Sequence, residues 1–294
     1  MSDKIFIQIP SYRDTQLLST LKDLVNKSSN VSRLKIVVAW QYDKREERLE
    51  PLLRQCPNIE LIKIPAANSL GCNWARSLLQ QKWEGEKYTL LLDSHHRFVQ
   101  RWDERVIDMY EKLKLQNIQK PVITGYLPPY DPLIDPEGRR ENNLRIHLLE
   151  RKNGLMFRLV GKEMPGWNLL ETPIPAHFVS LHFLFTEGQF NKEIEFDPSI
   201  YFFADEVAIA LRAYTFGYNL FHPHLILGWH LYNRDTRVTH WADHTSWRKQ
   251  NEESCRKLSK LYRGHISGKY GTGLQRSISD YEEYIGMKLF HTAR

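Results

Sequence analysis

The 294-residue chain has few cysteines and no long apolar run. Its three cysteines, Cys56, Cys72 and Cys255, lie far apart and form no Cys-x-x-Cys pair. Isolated thiols in odd number are typical of a reduced protein and argue against a disulfide framework. The N-terminal segment MSDKIFIQIPSYRD lacks the apolar core of a signal peptide. No apolar run approaches the roughly 20 residues of a transmembrane helix. We therefore expect a cytoplasmic protein.

Two further absences narrow the choice of ligand. No Gly-x-Gly-x-x-Gly follows the first predicted strand, which argues against a dinucleotide-binding enzyme. The formal net charge is +6, but basic and acidic residues are interspersed, without the like-charge blocks of nucleic-acid-binding tails. An RNA-binding protein would need a contiguous basic and aromatic face, so this alternative is disfavoured. A mild positive excess suits any ligand that carries phosphates.

Apolar periodicity predicts an α/β fold at the start of the chain. The segments IFIQIP, RLKIVVAW, IELIKIP and KYTLLLD are predicted strands, and helices are predicted between them. In the first helix, apolar residues recur at helical spacing at positions 17, 18, 21, 24 and 25. RLKIVVAW is nearly continuous in apolar residues, as a strand buried on both faces should be. The alternation indicates a doubly wound, mostly parallel sheet flanked by helices.

The rest of the chain is predicted to complete this sheet and to add two appendages. The segments KPVITGYLPP, ETPIPAHFVSLHFLFTEG and LFHPHLILGWH are predicted strands, and a helix is predicted from about Ala204. Residues from about 131 to 166 are charged and broken by proline and glycine, so we expect a long irregular insertion there. The segment from 238 onward is predicted to be helical and basic. We expect a main domain over 1–237 and an extension packed on it over 238–294.

The stretch LLLDSHHRF carries the first candidate site. Ligands of an open parallel sheet bind at the carboxyl ends of its strands, and here an apolar strand stops at Asp93. His95 lies two residues on, so in extended geometry it points to the same side. A carboxylate and an imidazole make part of a divalent-cation site. The alternative is that Asp93 caps a turn and the histidines lie on the surface.

Two other polar clusters follow apolar segments. Asp205 and Glu206 begin a predicted helix, where the helix dipole favours carboxylates; an ordinary charged first turn is the alternative. His230 follows the apolar run of LILGWH, and a single histidine there is more often structural than a ligand. These residues gain functional meaning if the fold brings the three clusters together.

Four stretches together resemble family 60 of the glycosyltransferases: IFIQIPSYRD, GCNWARSLLQQKWEGEKYTLLLDSHHRF, FFADEVAIALRAYTFGY and HLYNR. The resemblance covers roughly residues 4–237. It implies a GT-A fold, UDP-GlcNAc as the donor, a divalent cation (Mn²⁺ or Mg²⁺), and alpha-linked transfer of N-acetylglucosamine with retention of configuration. Members of this family modify protein hydroxyl groups, including a hydroxyproline. The region 131–170 resembles the family only weakly, so the resemblance does not identify the acceptor, which is expected to be a hydroxyl group on a protein or a glycan.

The resemblance also implies roles for single residues. Asp93 and His95 match the Asp-x-His form of the family's metal motif, and His230 matches the C-terminal histidine of the metal site. Asp205 and Glu206 match an acidic pair that faces the acceptor, although Ala-Asp-Glu replaces Gly-Glu-Glu here. The residues implied to bind the nucleotide sugar are Pro10, Ser11, Tyr12, Arg13, Arg76, Asp93 and Ser94. His96 departs from the pattern, which implies methionine.

The residues by themselves leave a second enzyme class open. Asp93, His95 and His230 around an activated water would suit a metal-dependent hydrolase. Such an enzyme would cleave a phosphoester or an amide without any nucleotide sugar. Binding of UDP would distinguish the transferase from the hydrolase.

Overall fold

The computed structural model describes residues 3–137, 147–152 and 158–289. Its strands are β1 (Ile5–Tyr12), β2 (Leu34–Tyr42), β3 (Ile59–Pro65), β4 (Tyr88–Leu92), β5 (His96–Phe98), β6 (Pro121–Thr124), β7 (His147–Lys152), β8 (Arg158–Glu163), β9 (Ile174–Pro175), β10 (Phe183–Glu187), β11 (Asn219–His222) and β12 (Gly228–His230). Its α-helices are α1 (Leu17–Asn26), α2 (Glu50–Arg54), α3 (Cys72–Gln80), α4 (Trp102–Leu115), α5 (Phe190–Glu193), α6 (Asp205–Thr215), α7 (His240–Asp243), α8 (Trp247–Tyr262) and α9 (Ile278–Tyr284). In this part of the chain, no helix is both long and apolar enough to cross a membrane.

An eight-stranded sheet in the order β3-β2-β1-β4-β10-β6-β11-β9 forms the centre of the protein. The strands β1 to β4 are parallel to one another, and β11 is parallel to β6. β10 runs antiparallel to both β4 and β6, and β9 runs antiparallel to β11. The predicted α/β class with a mostly parallel sheet flanked by helices is therefore confirmed.

The first strands are buried on both faces, as their nearly continuous apolar sequences predict. In β2, Ile36, Val38 and Trp40 pack in the cluster that includes α1 and α4. Val37 and Ala39 point to the opposite face and pack with α3. This alternation is the period of two that a pleated strand imposes on its side chains. Because both faces are covered by helices, the polar ends of the strands remain as the place for a ligand.

Two predicted strands are shorter than their apolar sequences suggest. The segment 171–188 contains only β9 and β10, and residues 176–182 between them lie outside the strands. The segment 220–230 was expected to close the sheet as one strand, which is wrong. β11 ends at His222, before Pro223, and β12 leaves the central sheet to pair with β5. Proline lacks the N–H that a strand interior needs, so the chain can turn away at this point.

The insertion contains more regular structure than the sequence analysis expected, and the extension contains helices, as expected. Within the segment 131–166, predicted to be irregular, β7 and β8 pair as antiparallel strands; residues 138–146 and 153–157 lie outside the described part. Beyond residue 238, Leu258 and Leu261 of α8 and Tyr281 of α9 are buried in one cluster with the apolar face of α6. The extension is therefore packed on the main sheet through α6, while the boundary at 237 stays a prediction.

Candidate active site

Three predicted metal ligands meet at the carboxyl end of β4. Asp93 follows β4 directly, His95 lies two residues on, and His230 ends β12. One potential ligand atom of each residue lies within 4.8 Å of the others. Nε2 of His230 lies 3.5 Å and Nε2 of His95 lies 3.8 Å from Oδ2 of Asp93. The fold thus joins two of the three polar clusters of the sequence.

The pairing of β5 with β12 places His230 over the end of β4. In this antiparallel pair, His230 is opposite His96. The backbone N–H of Leu231 donates to the carbonyl of His95 at 3.1 Å, and the N–H of His230 donates to the carbonyl of Pro128 at 2.9 Å. His230 is therefore fixed by backbone hydrogen bonds on both sides of its strand, which limits where its ring can lie.

The donor set fits a divalent cation. Nε2 of His95 and Nε2 of His230 are buried and have no hydrogen-bond partner among the described residues. Burial lowers the pKa of His230 well below its ordinary value, which keeps a lone pair free for a cation. Burial opposes ionisation of Asp93, but His230 and Arg76 hold the pKa of this carboxyl well below its ordinary value. A carboxylate with two imidazoles leaves coordination positions for phosphate oxygens.

Asp14, just beyond β1, orients His95. Oδ2 of Asp14 lies 2.6 Å from Nδ1 of His95 and accepts a hydrogen bond from Oγ of Ser94 at 2.7 Å. The carboxyl is buried, which opposes ionisation, but His95 holds the pKa of Asp14 below its ordinary value. Because Asp14 accepts the Nδ1 proton, the His95 lone pair is on Nε2, which faces Asp93. Carboxylates that orient metal-binding histidines commonly play this part.

Arg76 of α3 lies beneath the cluster. This buried guanidinium donates to Oδ1 of Asp93 at 3.1 Å and to the carbonyl of Leu181 at 3.0 Å. Asp93 therefore has one oxygen on Arg76 and the other toward the two histidines. Arg76 was predicted to lie near the sugar or diphosphate; in the structure it contacts Asp93 from within the fold.

The acidic pair at the start of α6 lies beside Arg76. Oδ2 of Asp205 accepts from Nδ2 of Asn73 at 3.1 Å, and Oε1 of Glu206 accepts from the N–H of Leu181 at 2.9 Å. Arg76 and Glu206 thus hold the carbonyl and the N–H of the same residue. Burial raises the pKa of both carboxyls, and the charge of Asp205 raises that of Glu206 further, while Arg76 opposes both shifts.

A cleft with about 770 Å³ of empty space, open solvent included, lies at the carboxyl ends of β1 and β4. Asp93 and His95 form part of its floor, and Arg234, Arg237 and Trp241 form part of its wall. Neither Asp205 nor Glu206 belongs to the residues that line this cleft; Asp205 lines a separate, mostly apolar cavity between α6 and α8.

The residues predicted to bind the nucleotide at the end of β1 have different environments in the structure. Pro10 and Tyr12 line the cleft, whereas Ser11 is buried behind them. Tyr12 Oη and Arg13 Nη1 each donate to Oδ2 of Asp243 at 2.7 Å. Asp243 belongs to α7, so the C-terminal extension is joined to the end of β1 at the rim of the cleft.

Sequence reasoning missed several residues of this site. Asp14 stands directly after the first strand, in the quoted segment IFIQIPSYRD, and its place at a strand end was the available signal. Arg234 ends the stretch HLYNR and Arg237 lies three residues further on, but neither received a role. Trp241 lies beyond residue 237, and no pattern in the sequence connects it to the cleft.

A sequence model of the glycosyltransferase (GlcNAc) family matches residues 4–53 and 43–291. The chain belongs to this family. The match extends beyond residue 237 and includes the segment that contributes Trp241 to the cleft. A search of curated protein sequences returns no match.

Solved glycosyltransferase structures share the fold of this family member. The structure of S. aureus TarS 1-349 in complex with UDP-GlcNAc superposes with a TM-score of 0.61 at 11% identity, over 96% of this chain and 70% of that one. The structure of GalNAc-T7 with UDP, GalNAc and Mn²⁺ gives a TM-score of 0.55 at 12% identity. That alignment covers 97% of this chain but 55% of GalNAc-T7, so this chain spans about half the length of that protein. At such identities the likeness concerns the GT-A fold alone.

Proposed function

We propose that this chain is a retaining, metal-dependent glycosyltransferase that moves N-acetylglucosamine from UDP-GlcNAc to a hydroxyl group of a protein or a glycan. The observation that carries the proposal is the convergence of Asp93, His95 and His230 at a strand-end cleft in a member of a GlcNAc glycosyltransferase family. The resemblance to family 60 supports the donor and the retained configuration. TarS, which has the same fold, was solved with UDP-GlcNAc. Hydroxyproline is one acceptor to test. We also propose that the protein acts in the cytoplasm.

Asp93, His95 and His230 are the residues that would hold Mn²⁺ or Mg²⁺. When bound, the cation supplies positive charge that stabilises the diphosphate leaving group. Asp14 keeps the proton of His95 on Nδ1, away from the cation side. Ser94 donates to Asp14, so its role in this proposal is to position that carboxylate.

The cleft wall suits a nucleoside diphosphate. Arg234 and Arg237 add positive charge beside the metal ligands, as a diphosphate requires. Pro10 and Tyr12 offer apolar and aromatic surface at the end of β1 for the nucleoside. Arg13 would contribute indirectly, by holding the extension against the end of β1, because its guanidinium donates a hydrogen bond to Asp243.

We assign the transfer step to the acidic pair. Asp205 and Glu206 lie close enough to Asp93 and Arg76 to interact with them electrostatically. They are therefore near the proposed position of the diphosphate, but as acidic groups they are not its ligands. Two carboxylates repel a diphosphate and accept hydrogen bonds well from sugar or acceptor hydroxyls. Since they do not line the cleft, a small shift at the start of α6 would be needed for direct contact. Ala204, immediately before α6, has a positive φ of 65°, a strained conformation of the kind that accumulates at functional sites.

A donor panel tests the function. Purified protein is incubated with UDP-GlcNAc, UDP-glucose and GDP-sugars, with and without Mn²⁺ or Mg²⁺, and sugar release and melting temperature are measured. We expect UDP-GlcNAc with metal to give the largest release and the largest rise in melting temperature, because a ligand that binds the native state stabilises it. Equal shifts with every donor would remove the donor assignment.

Matched variants separate the transferase from the metal-dependent hydrolase. Asp93→Ala should abolish Mn²⁺-dependent UDP binding in calorimetry, whereas Glu60→Ala, an exposed carboxylate of β3, should leave it unchanged. Metal-dependent cleavage of a phosphoester or amide by a protein that fails to bind UDP would instead support the hydrolase.

A further inference from the structure

His230 has one ring nitrogen that the proposed metal site does not use. Its Nε2 lies near Asp93, whereas its Nδ1 is buried and has no hydrogen-bond partner among the described residues. An imidazole that offers the Nε2 lone pair to a cation carries its proton on Nδ1, and metal-binding histidines usually donate that proton to a neighbouring acceptor. A buried N–H without an acceptor costs free energy. The surroundings of His230 should therefore contain an acceptor for Nδ1.

The rings in contact with His230, within the described residues, belong to His95, His96, His182 and Tyr232. Nδ1 of His95 is hydrogen-bonded to the carboxylate of Asp14, and its Nε2 faces Asp93. Nδ1 of His182 is hydrogen-bonded to the hydroxyl of Ser180, and its Nε2 accepts from the backbone N–H of Leu127. The hydroxyl of Tyr232 donates to a backbone carbonyl. Among the ring nitrogens of these neighbours, the one with neither a hydrogen bond nor a place in the proposed metal site is Nε2 of His96.

The hydrogen bond of His96 determines which of its nitrogens can accept. Nδ1 of His96 lies 3.0 Å from the backbone carbonyl oxygen of Asp93. A carbonyl only accepts, so Nδ1 carries the proton and Nε2 carries the lone pair. This lone pair is fully buried and has no partner among the described residues, and the ring centroids of His96 and His230 are 4.9 Å apart. His96 thus has an acceptor in need of a donor next to a residue with a donor in need of an acceptor.

We infer that His96 is a positioning residue whose Nε2 accepts a hydrogen bond from Nδ1–H of His230, directly or through one buried water, and so fixes the His230 tautomer that offers Nε2 to the cation. The inference rests on the metal site proposed above. It makes Asp93 both a ligand, through its side chain, and the anchor of this relay, through its backbone carbonyl. His95 and His230 would then have separate supports, Asp14 for the first and His96 for the second.

Variants of His96 test the relay through Mn²⁺ affinity, measured by calorimetry or electron paramagnetic resonance. Glutamine can place an oxygen acceptor where Nε2 of histidine lies, whereas leucine has similar bulk and no acceptor. We expect His96→Leu to weaken Mn²⁺ binding roughly 10- to 100-fold, the usual cost of losing such a support. His96→Gln should stay within a few-fold of the wild type. Equal losses in both variants, or no loss in His96→Leu, would overturn the role of His96.

Two further measurements keep the inference testable if His96→Leu does not fold. Nitrogen NMR of ¹⁵N-histidine-labelled wild-type protein without metal should show the proton on Nδ1 of both His96 and His230; a proton on Nε2 of His230 would overturn the relay. His222→Gln is the matched control, because His222 is buried on β11 and bonded to the carbonyl of Thr124. It should leave Mn²⁺ affinity unchanged. A wild-type protein that binds no Mn²⁺ would overturn the metal site itself rather than the relay alone.

Discussion

Asp14 Oδ2 lies 2.6 Å from Nδ1 of His95, although the two residues are 81 positions apart in the sequence. The same oxygen accepts a hydrogen bond from Oγ of Ser94. The contact joins the end of β1 to the end of β4, two parallel neighbours in the central sheet. It gives His95 a defined tautomer before any ligand is present. The site is therefore preorganised by the strand order of the sheet.

Replacing Asp14 should weaken the metal site without touching a ligand. In Asp14→Ala the acceptor for Nδ1–H of His95 is lost, so His95 can rotate or carry its proton on Nε2. We expect Mn²⁺ affinity to fall roughly 10- to 100-fold, with a smaller loss in Asp14→Asn, which keeps one acceptor oxygen.

Asp103 provides the control for Asp14. It is also a fully buried carboxylate, but it accepts hydrogen bonds from the N–H groups of Ser29 and Asn30, away from the cleft. Asp103→Ala should lower the melting temperature and leave Mn²⁺ affinity unchanged. If Asp14→Ala shows the same pattern as Asp103→Ala, then Asp14 supports only the fold.

His230 should act as a ligand rather than as a structural histidine. His230→Ala is expected to reduce Mn²⁺ affinity at least tenfold, because the site keeps only Asp93 and His95. Its ring is buried and stacks on His182 at a centroid distance of 4.1 Å, so some loss of thermal stability in the metal-free protein is also expected. Thermal unfolding and calorimetry on the same variant separate the two effects, and preserved metal affinity would contradict the assignment.

The acidic pair should affect turnover more than donor binding. Asp205→Asn and Glu206→Gln are nearly isosteric, and each removes an ionisable carboxyl without creating a cavity. An interaction made mainly in the transition state changes kcat with little effect on ground-state affinity. We expect UDP affinity within a few-fold of the wild type and a loss of roughly a hundredfold or more in kcat for at least one variant, with Asp205→Asn the more damaging. Near-wild-type turnover in both would reduce the pair to a helix-start feature.

The ionisation of Glu206 should appear in the pH dependence of stability. Burial raises the pKa of its carboxyl above the ordinary value, and the charge of Asp205 raises it further. The folded state therefore binds the proton more tightly than the unfolded state, so the associated stability is present at low pH and is lost as pH rises through the folded pKa. In thermal unfolding, the melting temperature of Glu206→Gln relative to wild type should increase from pH 5 to pH 9. A difference in melting temperature that does not change with pH would contradict this prediction.

Much of the fold was predictable because local sequence determines period and burial. The apolar runs of β1 and β2 and the helical spacing of Leu17, Leu21 and Leu24 specify their elements without long-range information. The place of Asp93 at the end of β4 follows in the same way, since a polar residue ends a buried strand. His95 shares that edge because it lies two residues on.

The remaining features depended on the tertiary structure. β12 leaves the central sheet after Pro223 and pairs with β5, and only this pairing brings His230 to Asp93. Trp241 reaches the cleft because the extension packs back over the end of β1. Apolar periodicity shows which face of an element is buried but not which strand it will lie beside. The sequence by itself therefore determined most of the elements and two of the three candidate metal ligands, and the pairing of β12 with β5 decided the third.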